Sequence, residues 1–116
     1  LRSWRRELWI YATGLAVAAA IYLVFALPTL DITWFAIEAA GVACYGLLAF
    51  VGWRVSPFAL AAGWALHPAW DYLLHVRGAG HQFVPEWYAY ACISFDLLVA
   101  ATIIYRVLQQ RRVAAA

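Results

Sequence analysis

The sequence predicts an all-α polytopic membrane protein: a four-transmembrane-helix bundle forming a single domain over residues 1–116. Three observations lead there. Of the 116 residues, 67% are hydrophobic and only 12% charged, which leaves too little polar surface to cover a water-soluble domain of this size. The chain divides into four apolar runs of about 20 residues, and at 1.5 Å per residue each spans the roughly 30 Å hydrocarbon core of a bilayer. In a four-span topology Arg2, Arg5, Arg6, Arg54, Arg106, Arg111 and Arg112 fall on one side and Arg77 alone on the other. That asymmetry places both termini in the cytoplasm, with a bacterial inner membrane as the expected location. The net charge of +2 then reflects topology and gives no reason to expect a nucleic-acid partner.

The first run, Leu8 to Leu27, follows three arginines as a signal peptide would. It is too long for a signal-peptide core, and Leu27-Pro28-Thr29 is not a small-x-small cleavage site, so it reads as a span. The chain has no Met, so the natural start or a processed end is expected upstream. This run has no acid or histidine and reads as a wall or an oligomer contact. The second run, Thr33 to Trp53, holds Glu38 and a series of small residues, Gly41, Ala43, Gly46, Ala49 and Gly52, that permit close helix approach. The third, Pro57 to Val76, is densest in polar groups. The fourth, Glu86 to Tyr105, holds Cys92 and Asp96, and the Ala-rich tail from Val113 reads as disordered. Trp34, Trp87, Tyr88 and Tyr90 fit an interfacial aromatic belt. Cys44 and Cys92 form no C-x-x-C pair and read as free thiols.

Function is read from where the ionisable residues lie. Of six Asp and Glu residues, Glu38, Asp71 and Asp96 fall inside apolar spans, as does His67, and His75 is close to the outer end of its helix. Each charge at the bilayer centre costs about 2.5 to 3.5 kcal/mol or more, so such residues need partners and mark function by default. Counting inward from the outer boundary, Glu38, Asp71 and Cys92 are each about 8 Å deep and form an upper tier; His67 and Asp96, about 15 Å deep, form a midplane tier. His75, His81 and Glu86 lie at or above the rim. On the third span His67, Asp71 and His75 are spaced i, i+4, i+8, a polar ladder along one slowly rotating helix face. Pro68 within it cannot donate to the Trp64 carbonyl and disfavours a straight helix below Asp71.

Three functions fit this constellation. The leading one is a metal site, since histidine with carboxylate suits iron, zinc or manganese. An upper version uses Asp71, His75 and Glu38 with His81; a lower version uses His67, Asp71 and Asp96. The protein would then be an enzyme acting on a lipophilic or small substrate, with Asp71, Asp96 and Glu38 as the catalytic carboxylates. The second is a proton relay through Asp96, His67, Asp71 and His75, serving transport or an acid-catalysed isomerisation or cyclisation. The third is structural: interhelical hydrogen bonds holding a homo-oligomer or a subunit of a membrane complex. Such bonds average only about 0.6 kcal/mol, a small return for burying so many ionisable groups. Asp71 is the residue common to both metal versions and to the relay.

The run Trp64-x-x-His67-Pro68-x-Trp70-Asp71-x-x-x-His75, followed by Val84-Pro85-x-Trp87-Tyr88 and Cys92-x-x-x-Asp96, resembles an uncharacterised family of small bacterial and fungal integral membrane proteins. The similarity covers the third and fourth spans. It implies the four-helix architecture and nominates Asp71, His75 and Asp96, with no activity attached. Size and span number also resemble the small multidrug transporters, whose essential glutamate lies in the first span; here that span has none. Trp70-Asp71 with Val84-Pro85-Glu86 faintly resembles bacterial lycopene cyclase halves, but the paired acids after proline are absent, since Trp87 follows Glu86.

Overall fold

The computed structural model describes residues 2–116. Four helices follow one another: α1 (Arg2–Ala26), α2 (Ile32–Arg54), α3 (Pro57–His75) and α4 (Glu86–Ala115). Short 3-10 turns lie at Leu27–Thr29, before α2, and at Ala79–Gln82, between α3 and α4. The boundaries follow local chemistry. Asp31 caps α2 by accepting from the backbone N–H groups of Thr33, at 2.9 Å, and Trp34, at 3.4 Å, satisfying donors that the first turn leaves free. Pro57 and Glu86 open α3 and α4, proline because it fits the first helical position and glutamate because it complements the helix dipole. Two boundaries lie beyond the expected ones. α1 begins among the arginines, and α4 continues to Ala115, where the tail was expected to be disordered. Alanine and arginine are strong helix formers, and the chain beyond Tyr105 simply extends the helix already nucleated.

Each helix buries one stripe with alternating three- and four-residue steps. On α1 the stripe is Leu8, Ala12, Leu15, Ala19, Tyr22 and Ala26; on α2 it is Glu38, Gly41, Tyr45, Ala49 and Gly52. This is the pattern of helices packed side by side in a bundle. The chain runs up and down: Arg5 near the start of α1 donates to the Trp53 carbonyl at the end of α2, and Arg111 late in α4 lies over the Phe58 ring at the start of α3. Arg5, Arg54 and Arg111 thus gather at one end, the end opposite Arg77.

α1, α2 and α4 are long and apolar enough to cross a membrane. α3, with 19 residues that include two histidines and an aspartate, is not among the three. Its position explains why so polar a helix is accommodated. Among the described residues α3 alone packs closely on all three other helices, so its polar edge faces protein. The outer surface is correspondingly apolar, with Leu47, Phe50, Leu66, Leu73 and Leu98 all more than half exposed.

Candidate metal centre

Two groups of buried polar residues lie at the centre of the bundle, on either side of Tyr22. The deeper group joins α3 to α4. His67 Nδ1 is 2.8 Å from Asp96 Oδ2 and 3.5 Å from Asp71 Oδ1. His67, Asp71 and Asp96 each present a ligand atom within 4.8 Å of the other two, and all three side chains are buried. The outer group joins α3 to α2: His75 Nε2 lies 2.8 Å from Glu38 Oε1 but out of line for a hydrogen bond. The indole Nε1 of Trp70 donates to the other Glu38 oxygen at 3.4 Å.

The five residues named from the sequence are therefore all in the core, each no more than 1% exposed, but their grouping differs from the tiers that depth alone predicts. Asp71 belongs with His67 and Asp96, one turn below its own backbone level, and Glu38 belongs with His75. The reason is the direction of side chains on helices, which lean toward the helix N-terminus. On α3, which runs away from the arginine-rich end, Asp71 leans toward that end; on α2 and α4, which run the other way, Glu38 and Asp96 lean away from it. Cys92 is absent from both groups. It lies beside Asp96 along a cleft between α1 and α4, and both cysteines are free. His81 is exposed on the loop and, with His75, Arg77 and Glu86, lines a polar pocket of about 280 Å³ at the outer end.

α1 contributes more than a wall. Tyr22 stacks on His75 with ring centroids 4.0 Å apart and an interplanar angle of 10°, and on His67 at 5.9 Å and 23°. It is 1% exposed, and its hydroxyl has no hydrogen-bond partner. The signal was present in the buried stripe of α1, where Tyr22 replaces the leucine expected seven residues after Leu15. Tyr45 closes the other side. Its ring meets His67 edge-on at 4.8 Å, and its hydroxyl donates to the Leu66 carbonyl at 3.0 Å.

The unpaired atoms bear most directly on the chemistry. Both Asp71 oxygens, His67 Nε2 and both ring nitrogens of His75 are buried and make no well-aligned hydrogen bond within the protein, so a water, ligand or ion is needed to satisfy them. Three carboxylates and two imidazoles share this interior with no arginine among them. The 2.8 and 3.5 Å separations around His67 Nδ1 are also those between neighbouring ligands of one ion bound at about 2.0 to 2.2 Å.

With the geometry established, sequence comparison identifies the family. The chain belongs to a family of unknown function, DUF6010, whose profile matches residues 2–109. The match takes in all four helices and so extends past the two spans on which the resemblance was first read. No curated protein and no solved structure matches this DUF6010 chain.

Proposed function

We propose that the protein is an integral membrane metalloprotein in which His67, Asp71 and Asp96 hold one divalent cation within the bundle, and that it acts as an enzyme on a lipophilic substrate. The observation that carries this reading is Asp71: wholly buried, beside a histidine and a second aspartate, with neither carboxylate oxygen hydrogen-bonded. A structural role for the cluster would have paired those oxygens, because an unmet buried acceptor costs about 1 to 3 kcal/mol. One imidazole and two carboxylates suit zinc, iron or manganese. Such an ion supplies Lewis acidity and an activated water. Asp96 Oδ2 and His67 Nδ1, 2.8 Å apart, would be adjacent donors to that ion. Glu38 and His75, the remaining residues of the expected ligand set, form a separate pair above it and are the nearest groups able to carry a proton between the site and the outer pocket.

Elemental analysis of protein purified without added metal tests this. The expected result is close to one divalent ion per chain in the wild type, lost in Asp71→Ala and retained in Glu38→Gln. Absence of stoichiometric metal, or its persistence in Asp71→Ala, overturns the reading.

A proton relay is favoured by a different observation. The polar pocket lined by Arg77, His81 and Glu86 ends against the buried His75, which puts the last member of the series next to the loop. Proton flux into liposomes, abolished by Asp96→Asn in metal-free protein, would decide for it. In either case the four helices span the membrane with the arginine-rich end and both termini in the cytoplasm, α3 being carried across by the three apolar helices around it. Reporter fusions at the two termini should give the same cytoplasmic signal, and a fusion in the 77–85 loop the opposite one.

A further inference from the structure

Between α1 and α4 lies a cleft of about 400 Å³, a volume typical of small-molecule sites. Its limits are set by two contacts. At the arginine-rich end Arg106 holds Glu7 through Nε and a terminal nitrogen, both at 2.9 Å. At the outer end Tyr88 packs edge-on against Tyr22 and Phe25, at 6.2 and 5.1 Å. Between these points the helices part, and Trp64 of α3 forms the floor. The indole is fixed there by donating to the Tyr11 carbonyl at 3.1 Å. The walls are apolar, and Ile10, Val17 and Phe95 on its rim are 57%, 52% and 59% exposed, so the cleft opens sideways, toward what would be lipid. Cys92 and Asp96 are its polar members near the metal centre.

We infer that this cleft is the binding site for a neutral, single-chain lipid whose terminal hydroxyl reaches Asp96. The inference rests on the membrane reading above and names the substrate class of the same centre. Three features select the occupant. The α1 side of the cleft runs from Ile10 to Ile21, about 16 Å along the helix and close to half the roughly 30 Å hydrocarbon core, so it matches the length of one lipid chain. Asp96 is ten residues into α4, about 15 Å from its outer end; a charged or zwitterionic headgroup drawn to that depth would be strongly disfavoured. The polar group of the cleft is Asp96, a member of the metal centre; two carboxylates there balance the charge of a divalent ion, so the centre has no net charge to draw a fatty acid or phosphate into the membrane interior and favours a neutral hydroxyl. Asp96 Oδ2 faces His67 within the centre, leaving its second oxygen to accept from that hydroxyl.

The test is photo-crosslinking in phosphatidylcholine nanodiscs with three probes bearing the same diazirine chain: a long-chain alcohol, the corresponding carboxylic acid and a phosphatidylcholine. Labelled peptides are mapped by mass spectrometry. The alcohol is expected to label the cleft segments of α1 and α4 at least tenfold over the outer faces at Leu47, Phe50 and Leu98, and tenfold over the acid and the phospholipid. Ala18→Trp, which fills the cleft, should abolish that labelling with metal content unchanged. Even labelling of all lipid-facing surfaces in the wild type, or equal labelling by the three probes, overturns the inference without recourse to any variant. Metal content measured on the same samples separates the two readings, because cleft labelling in metal-free protein sinks the metal centre and leaves the lipid site standing.

Discussion

Tyr22 and Gly80 show how individual residues shape the site without binding anything. Tyr22 presses its ring on His75, and aromatic stacking of this kind contributes about 0.5 to 1.5 kcal/mol beyond burial. Tyr22→Leu should therefore destabilise the protein in detergent by at least that amount. Tyr22→Phe keeps the ring and removes a buried hydroxyl that has no partner, so thermal unfolding should shift little or upward. A large loss on Tyr22→Phe would mean the hydroxyl has a ligand. Gly80 is buried against the same histidine: a Cβ there would lie 2.6 Å from His75 Nδ1 and closer still to the Leu74 carbonyl. Neither atom is the end of a flexible chain, so Gly80→Ala should cost about 1 to 3 kcal/mol and loosen the His75–Glu38 pair. The comparison that separates packing from general loop damage is Ala79→Ser, at an exposed neighbour, which should be silent.

Among the elements, the turn from α1 to α2 contains the one non-glycine residue with positive φ among the described residues, Leu30 at 54°. Its side chain is 94% exposed, so nothing in packing offsets a left-handed conformation that L-residues other than Gly, Asn and Asp avoid. Leu30→Gly or Leu30→Asn should raise thermal stability, by about 0.5 to 1 kcal/mol. Asp31→Ala removes the cap of α2 and should lower it by about 0.5 to 2 kcal/mol. α3 shows what a sequence window misses. Its polar ladder and internal Pro68 take it below the apolar threshold for a span, yet helix structure continues through Pro68 to His75, because the other helices supply the contacts that its own composition lacks.

At the scale of the molecule, the Glu7–Arg106 pair is the long-range contact that closes α1 on α4. Tyr11 adds a hydrogen bond to Glu7 at 2.8 Å, and the Arg106 guanidinium also lies over the Trp4 ring and donates to Gln109. A bidentate, partly buried pair with such support exceeds the usual near-zero value of a surface ion pair. A double-mutant cycle with Glu7→Gln and Arg106→Leu, read by unfolding in detergent, should give a coupling distinguishable from zero. If the lipid site is correct, the same mutations should also widen the cleft above them and reduce its selectivity for a single chain. A zero coupling would mean that the contacts of Tyr88 with Tyr22 and Phe25 hold α1 on α4 without help from the ion pair.

Composition and the period of apolar residues were enough to determine an all-α chain of four helices and the five ionisable side chains that avoid the outer surface. Those are local properties, set by helix propensity, capping and the cost of exposing polar groups to lipid. The sequence also contained, in the heptad stripe of α1, the reason Tyr22 faces inward. What only the tertiary structure decided is which polar groups meet. The sequence left Asp71 open to two groupings, with Glu38 and His75 or with His67 and Asp96; the antiparallel course of the helices tilts their side chains in opposite senses and brings about the second. The cleft beside Asp96 likewise exists only because α1 and α4 touch at their ends and part between them. That separation depends on contacts 99 residues apart in the chain, which no local pattern encodes.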